Sequence, residues 1–308
     1  SPIALALMPW YLACFRRAVR QGVRAFHPDV IHAHWWIPGA IAAVGQGVPF
    51  VVTGHGSDVR LLGQSAVLRA LAHRVLVRAA AVTAVSGIMA DDVRRWAGIP
   101  RVEVTPSAVD ETRFLAAPEV QEDPPRILFA GNWIRAKGVD LILEAFAQVR
   151  RRGIPARLRL VGDGPGQAEF QALADRLGVA PDVEWAGTRA HEEMPGEFAA
   201  AAIVVMASRG PRGEGLPITL VEAMMSGCAV VATPAGGIPE IVIDGDTGLI
   251  ARDGDASHLA DQIARLLLDP ALRHRLASAG RARVTGRFAR GPAFAKVLGI
   301  LTQAAGCQ

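Results

Sequence analysis

The chain has 308 residues, enough for two domains at about 100–200 residues each; 51% of it is apolar and 20% charged, which excludes a disordered or collagen-like chain. Its three cysteines, Cys14, Cys228 and Cys307, are too scattered for a disulfide framework or a cysteine metal cluster and fit a reducing compartment. The net charge of +4 is unevenly divided: residues 1–108 hold eleven arginines against five acids (+6), and residues 109–308 hold twenty-two basic residues against twenty-four acids (−2). A basic first third suits phosphorylated ligands or an anionic surface. No apolar run of about eighteen residues free of glycine and proline is present to span a bilayer. The uncharged opening run 1–15 lacks the charged start and cleavage pattern of a signal peptide.

In chain order, residues 10–26 read as a helix, 29–33 as a strand and 49–53 as a second. Strands follow at 81–84 and 102–105, with helices over 66–79 and 88–97 between them. The stretch 116–125 (AAPEVQEDPP), rich in proline and acid, reads as a linker, so a first domain over 1–115 and a second over 116–289 are expected. Beyond it, 126–131 (RILFAG) is a short buried strand and 139–152 has helical spacing. Residues 157–161 (RLRLV) lead through Gly162-Asp163-Gly164-Pro165 to a helix over 167–177, and 183–186, 203–207 and 229–233 are further strands. After Asp255 the chain reads as helical, broken at Gly286 and Gly291, with its last helix, 290–308, returning to the first domain. Continuous apolar strands alternating with helices require parallel sheets covered on both faces. The expected class is therefore α/β with two doubly wound, Rossmann-like domains, and ligands belong at the carboxyl ends of the strands.

The most informative segment is 214–222 (EGLPITLVE). A strand ending near Ala207 leads through Gly210, Pro211 and Gly213 to a helix that Pro217 can open at its first turn. Flexible backbone and the positive end of a helix meet there, which suits an anion or a sugar hydroxyl. At about 1.5 Å per helical residue, Glu214 and Glu222 stand about 12 Å apart or less. That exceeds the roughly 5–9.5 Å of a glycosidase carboxylate pair and suits two hydroxyl-bearing rings joined by a diphosphate. By spacing alone, an exposed loop acid and a surface helix glutamate fit equally well.

Glu214 to Glu222 with Gly215 and Pro217, then Gly236-Gly237-Ile238-Pro239-Glu240 and Asp244-Gly245-Asp246-Thr247-Gly248, resembles the donor-binding signature of glycosyltransferase family 4, retaining nucleotide-sugar-dependent enzymes of the GT-B fold. Residues 104–110 (VTPSAVD) are similar to the family's interdomain segment, with Ser107 and Ala108 in place of the usual Asn-Gly, and 160–165 (LVGDGP) also matches. The resemblance implies that Glu214 contacts the donor sugar beside the Gly215 and Leu216 amides, with Pro217 opening the helix behind them, and that Glu222 accepts hydrogen bonds from the ribose hydroxyls. It makes 131–138 (GNWIRAKG), from Gly131 to Gly138, a phosphate loop in which Lys137, one of only two lysines, neutralises the leaving diphosphate. Asn132 stands where the family has arginine, and Arg135 is the candidate second cation. In 53–58 (TGHGSD), His55 matches the catalytic-centre histidine that holds the donor sugar; Trp35 and Asp58 are candidates for the acceptor side, though a helix cap is the favoured reading of Asp58. Retention in the family is thought to use same-face attack, with the donor phosphate taking the proton.

The implied activity is transfer of a hexose from a nucleotide-diphosphate sugar, a co-substrate, to a hydroxyl of a glycolipid or growing polysaccharide, with no cofactor and no metal. Implied partners are the nucleotide sugar, a glycan or lipid-linked acceptor, and an anionic membrane surface met by helix 10–26 through Arg16, Arg17, Arg20 and Arg24, but no nucleic acid. The implied location is cytoplasmic, peripheral on the inner face of the membrane. The family's first strand and its glycine-rich loop have no counterpart, so the first domain is expected to be incomplete at its N-terminus. The alternative is a non-catalytic nucleotide- or glycan-binding module of the same ancestry. His32-Ala-His34 imitates a metal-dependent amidohydrolase, but later strand ends offer only His55 as a further ligand. Asp244-Gly-Asp246 and Asp253-Gly-Asp255 are turn formers first, and 162–166 lacks dinucleotide-loop spacing.

Overall fold

Ten short strands carry the fold in this computed structural model, which describes residues 2–115, 122–211 and 213–306. Strands β1 (Ile31–His34), β2 (Phe50–Gly54), β3 (Ala81–Ala84) and β4 (Glu103–Val104) pair in parallel in that order. Strands β5 (Arg126–Ala130), β6 (Arg157–Val161), β7 (Val183–Gly187), β8 (Ile203–Met206), β9 (Ala229–Ala232) and β10 (Leu249–Ile250) form a second parallel sheet in the order β10-β9-β8-β5-β6-β7. The chain divides into two such α/β units, Ser1–Ser107 with Gly291–Gln308, and Ala108–Arg290, each a Rossmann-like parallel sheet. In the second sheet the order of strand addition reverses between β5 and β8, which pair in parallel, and this makes their carboxyl ends the switch point where ligands of such sheets bind.

The uninterrupted apolar character of these strands has a direct cause in packing. Along β5, Ile127 and Phe129 enter one core with Ile142 and Phe146 of helix Val139–Arg151 and with Leu259 and Ile263 of helix Ala256–Leu268. Leu128 and Ala130 enter another with Leu220 and Met224 of helix Ile218–Met225 and with Val284 and Phe288. Successive side chains point to opposite faces, and both faces are covered. A buried charge on this sheet, Arg159 of β6, is neutralised in place: its Nε and Nη2 each donate to the buried Glu197 carboxylate at 2.6 Å. Burial by itself would raise the Glu197 carboxyl, but the bonds from Arg159 hold it below its ordinary value.

Three expectations need correction. The first unit ends at Ser107, not at residue 115, because Val109 N donates to Phe288 O at 2.8 Å and Phe114 is buried in the core of the second unit. Residues 116–121 of the expected linker, and Cys307, lie outside the described residues. The C-terminal breaks fall at Asp269 and Ala289, while Gly286 and Gly291 lie inside helices Pro270–Phe288 and Arg290–Ala304. Asp269 caps the first of these by accepting from Leu272 N at 2.9 Å, with Pro270 preset for the first turn. The opening helix runs over Pro2–Phe26, and among the described residues no helix is long and apolar enough to cross a membrane.

Candidate active site

At the switch point of the second unit, two loops meet. The loop after β5 tightens into a 3-10 turn, Arg135–Lys137, and enters helix Val139–Arg151 at Gly138. Gly138 has φ +72°, and a Cβ there would stand 2.0 Å from the Ala207 carbonyl oxygen, so only glycine lets this loop approach the end of β8. The loop after β8 is tied to the same turn: Arg209 N donates to Ala136 O at 3.0 Å, and the Arg209 guanidinium grips both Asp140 oxygens at 2.8 and 2.9 Å. Gly236 completes the cradle from the next loop, since a Cβ there would stand 1.8 Å from the Glu214 carbonyl oxygen.

The result is a direct ion pair. Lys137 Nζ donates to Glu214 Oε1 at 2.6 Å, and the Ser208 hydroxyl donates to the same oxygen. Glu214 is buried, at 7% exposure, while a quarter of the Lys137 side chain (26%) reaches solvent. Glu214 Oε2 carries no hydrogen bond among the described residues. Gly215, Leu216 and Pro217 follow in the loop that opens helix Ile218–Met225; among the described residues no side chain caps that helix, and Leu220 N turns back to Pro217 O at 3.0 Å.

Glu222, on this helix and 8% exposed, is engaged elsewhere: its Oε1 accepts from His191 Nε2 at 2.9 Å. Arg135 does not join Lys137. Its Nε donates to Glu169 Oε1 at 2.9 Å on the outer side of the loop, so the expected two-cation clamp is not formed in this structure. Gly131 begins the loop, its N–H donating to Val161 O at 3.0 Å, and Asn132 is exposed on it. The aspartate-glycine segments behave as turns: Asp255 caps helix Ala256–Leu268 by accepting from His258 N at 2.8 Å, and Asp244 accepts from Ile250 N at 2.9 Å.

In the first unit, strand ends β1 and β2 gather three imidazoles. His34 Nδ1 and His55 Nε2 share a hydrogen bond of 2.7 Å, and His32 Nε2 meets the Thr53 hydroxyl at 2.8 Å. Burial, then the neighbouring His34 and His55, lowers the His32 pKa from 6.5 to about 4; burial and His34 also lower that of His55. The His32 ring is therefore neutral near pH 7. Trp35, 46% exposed, lies edge-on to His55 with ring centres 6.3 Å apart. Asp58 is 3% exposed, and both its oxygens accept from backbone amides: His55 and Gly56 at 3.1 and 3.0 Å, and Trp36 at 3.2 Å. It clamps the loop that presents His55, so its assignment to the acceptor side is withdrawn. Among the described residues no group of three His, Cys, Asp or Glu side chains is arranged to hold a metal ion.

Sequence reasoning missed Ser208, Arg209, His191 and Arg113, and it weighed His34 only as a metal ligand, not as the partner of His55. Ser208 had one signal, its place just past β8 at the switch point. His191 and Arg113 lie 31 and 109 residues before Glu222, and no local pattern connects them to it.

Comparison with known proteins places the chain in a family. The profile of the family described as Glycosyl transferases group 1 matches residues 110–283, more than half of the chain, and that of Glycosyltransferase Family 4 matches residues 1–113. The chain is 31% identical over 275 residues to an alpha-D-kanosaminyltransferase of Streptomyces kanamyceticus, covering 80% of this chain and 70% of that protein. It is 27% identical to an N-acetyl-alpha-D-glucosaminyl L-malate synthase of Bacillus anthracis, covering 84% and 71%. In fold it is similar to Anabaena Alr3699/HepE solved in complex with UDP and glucose (TM-score 0.78, 24% identity, 94% and 81% covered). It is also similar to a sucrose-phosphate synthase of Thermosynechococcus elongatus (TM-score 0.81, 22% identity, 99% and 80% covered).

Proposed function

Because the chain belongs to the group 1 glycosyltransferases, with a family 4 region ahead of the group 1 region, we propose that it moves a hexose from a nucleoside-diphosphate sugar to a hydroxyl acceptor with retention of anomeric configuration. The observation that carries this reading is the Lys137–Glu214 contact of 2.6 Å, which joins the loops of β5 and β8 at the switch point. The ammonium group neutralises the diphosphate, the N-terminal end of helix Ile218–Met225 adds positive potential, and Glu214 receives a hydroxyl of the sugar. Glu222 accepts hydrogen bonds from the ribose.

In the reaction, the acceptor oxygen bonds to the anomeric carbon on the face from which the diphosphate departs. The anomeric C–O bond breaks with its electron pair on the phosphate, and the acceptor proton passes to a phosphate oxygen. No side chain forms a covalent intermediate, and charge on the leaving group is balanced by Lys137 without metal. His55 takes part in transfer and not in nucleotide binding.

The acceptor class is a glycolipid or growing polysaccharide at the cytoplasmic membrane surface. Support comes from helix Pro2–Phe26, which exposes Trp10 and Tyr11 as well as arginines. Binding to anionic vesicles that salt abolishes is the expected result; no binding at low salt removes the membrane part.

The test of the whole is Lys137→Ala and Glu214→Ala in an assay of nucleoside-diphosphate release with acceptor present. Each loses transfer by about a hundredfold or more with an unchanged circular dichroism spectrum. Near-normal turnover in both variants refutes the reading.

A further inference from the structure

Glu222 poses a problem of its own. A carboxylate 8% exposed requires partners, and among the described residues no lysine or arginine pairs with it; its side-chain partner is the His191 ring, at 2.9 Å. The other side of that ring is fixed. Arg113 Nη1 lies 2.9 Å from His191 Nδ1, and a guanidinium can only donate, so Nδ1 accepts and the ring hydrogen sits on Nε2, facing Glu222. Arg113 also lies 3.6 Å from Glu192, and the buried Phe114 ring packs against the imidazole at 5.7 Å between centres. Its short helix, Glu111–Leu115, is anchored by Val109 N to Phe288 O at 2.8 Å and by Arg290 N to Glu111 at 2.9 Å. A chain of hydrogen bonds thus runs from Arg113 through a single histidine tautomer to one oxygen of a buried acid. The second oxygen, Oε2, has no hydrogen bond among the described residues.

We propose that Arg113 and His191 are positioning residues for nucleotide recognition: they commit Glu222 Oε1 to the protein and so present Oε2 to the ribose hydroxyls of the donor. The proposal rests on the reading of Glu222 given above and extends it to two residues that neither the donor signature nor the phosphate loop contains. A neutral N–H donor suits this purpose. It satisfies the buried oxygen without the full charge of a lysine or arginine, so the carboxylate keeps its strength as an acceptor for a hydroxyl group.

The test compares a ribonucleoside diphosphate with its 2′-deoxy and 3′-deoxy counterparts by titration calorimetry. UDP, GDP and ADP are first screened by thermal shift to choose the base. The intact protein should bind the ribonucleotide about tenfold or more tightly than the deoxy forms, the usual scale for a hydrogen bond to a charged group. In His191→Ala this ratio should fall to about one, with affinity for the deoxy forms little changed. His191→Gln, whose amide can donate from near the Nε2 position, should restore most of it, and Arg113→Met should lower it part of the way. An unchanged ratio in His191→Ala, or equal weakening of all three ligands as a merely structural role would give, overturns the proposal. Glu222→Ala separates the two levels. If it leaves the ratio intact, the ribose reading of Glu222 itself fails; if it removes the ratio and His191→Ala does not, only the role of His191 and Arg113 fails.

Discussion

The Lys137 ammonium is paired with Glu214, and this makes Glu214→Gln a sharper perturbation than deletion of either partner. At 2.6 Å and an effective dielectric near 20, the pair attracts by about 6 kcal/mol before solvation is counted. Lys137 is a quarter exposed, and hydration returns most of that energy; a charge-assisted bond of this kind nets about 1.5–3 kcal/mol. A diphosphate arriving at Lys137 must share the cation with this carboxylate and is repelled by it. The amide of Gln keeps the shape and the Ser208 contact while removing both penalties. The nucleoside diphosphate should therefore bind about tenfold more tightly, about 1.4 kcal/mol, while transfer falls by about a hundredfold because the sugar loses its charged contact. Calorimetry on the diphosphate together with initial rates of nucleotide release reads both effects. In Lys137→Met/Glu214→Gln the gain in affinity should vanish. Weaker or unchanged diphosphate binding by Glu214→Gln would refute the idea that the two charges compete for the ligand.

Three further outcomes follow from the geometry. The folded pKa of His32, about 4, lies below its ordinary 6.5, so the stability that the neutral ring contributes is complete above about pH 6.5 and is lost as pH falls toward 4; urea midpoints across this range should decline less in His32→Gln than in the parent. Gly138→Ala, with φ +72° and a Cβ 2.0 Å from the Ala207 carbonyl oxygen, should cost about 2 kcal/mol or more in denaturant unfolding and displace Lys137 enough to lower turnover. Arg159→Met strands the Glu197 carboxylate, 9% exposed, with only Arg126 at 3.5 Å and Arg189 at 3.4 Å, and should cost about 3–5 kcal/mol, relieved on acidification as Glu197 protonates.

How much of this was legible in the residue order depends on range. Runs such as 126–131 and 157–161 announced buried parallel strands because strands covered on both faces must be apolar throughout. The motif 214–222 announced its loop and helix because Pro217 and the glycines before it constrain the backbone locally. The helix breaks were misplaced for an equally local reason: glycine inside a helix costs only about 1 kcal/mol, which tertiary packing easily overrides, whereas Asp269 and Pro270 supply a cap. The local reading of Asp58 as a helix cap could not include its second partner, because the amide of Trp36, which its other oxygen accepts from, lies 22 residues before it.

The sequence by itself determined the α/β class, the division into two sheets, and the family signature that singles out Lys137, Glu214 and Glu222, since periodicity and short motifs act over a few residues. Only the tertiary structure decided which of these groups meet. Lys137 and Glu214, 77 residues apart, are joined because the sheet order reverses between β5 and β8; Arg135, two residues from Lys137, is turned away to Glu169; and Glu222 is held through His191 by Arg113. Hydrogen bonds and ion pairs form between neighbours in space, and strand order, which no local pattern encodes, sets who those neighbours are.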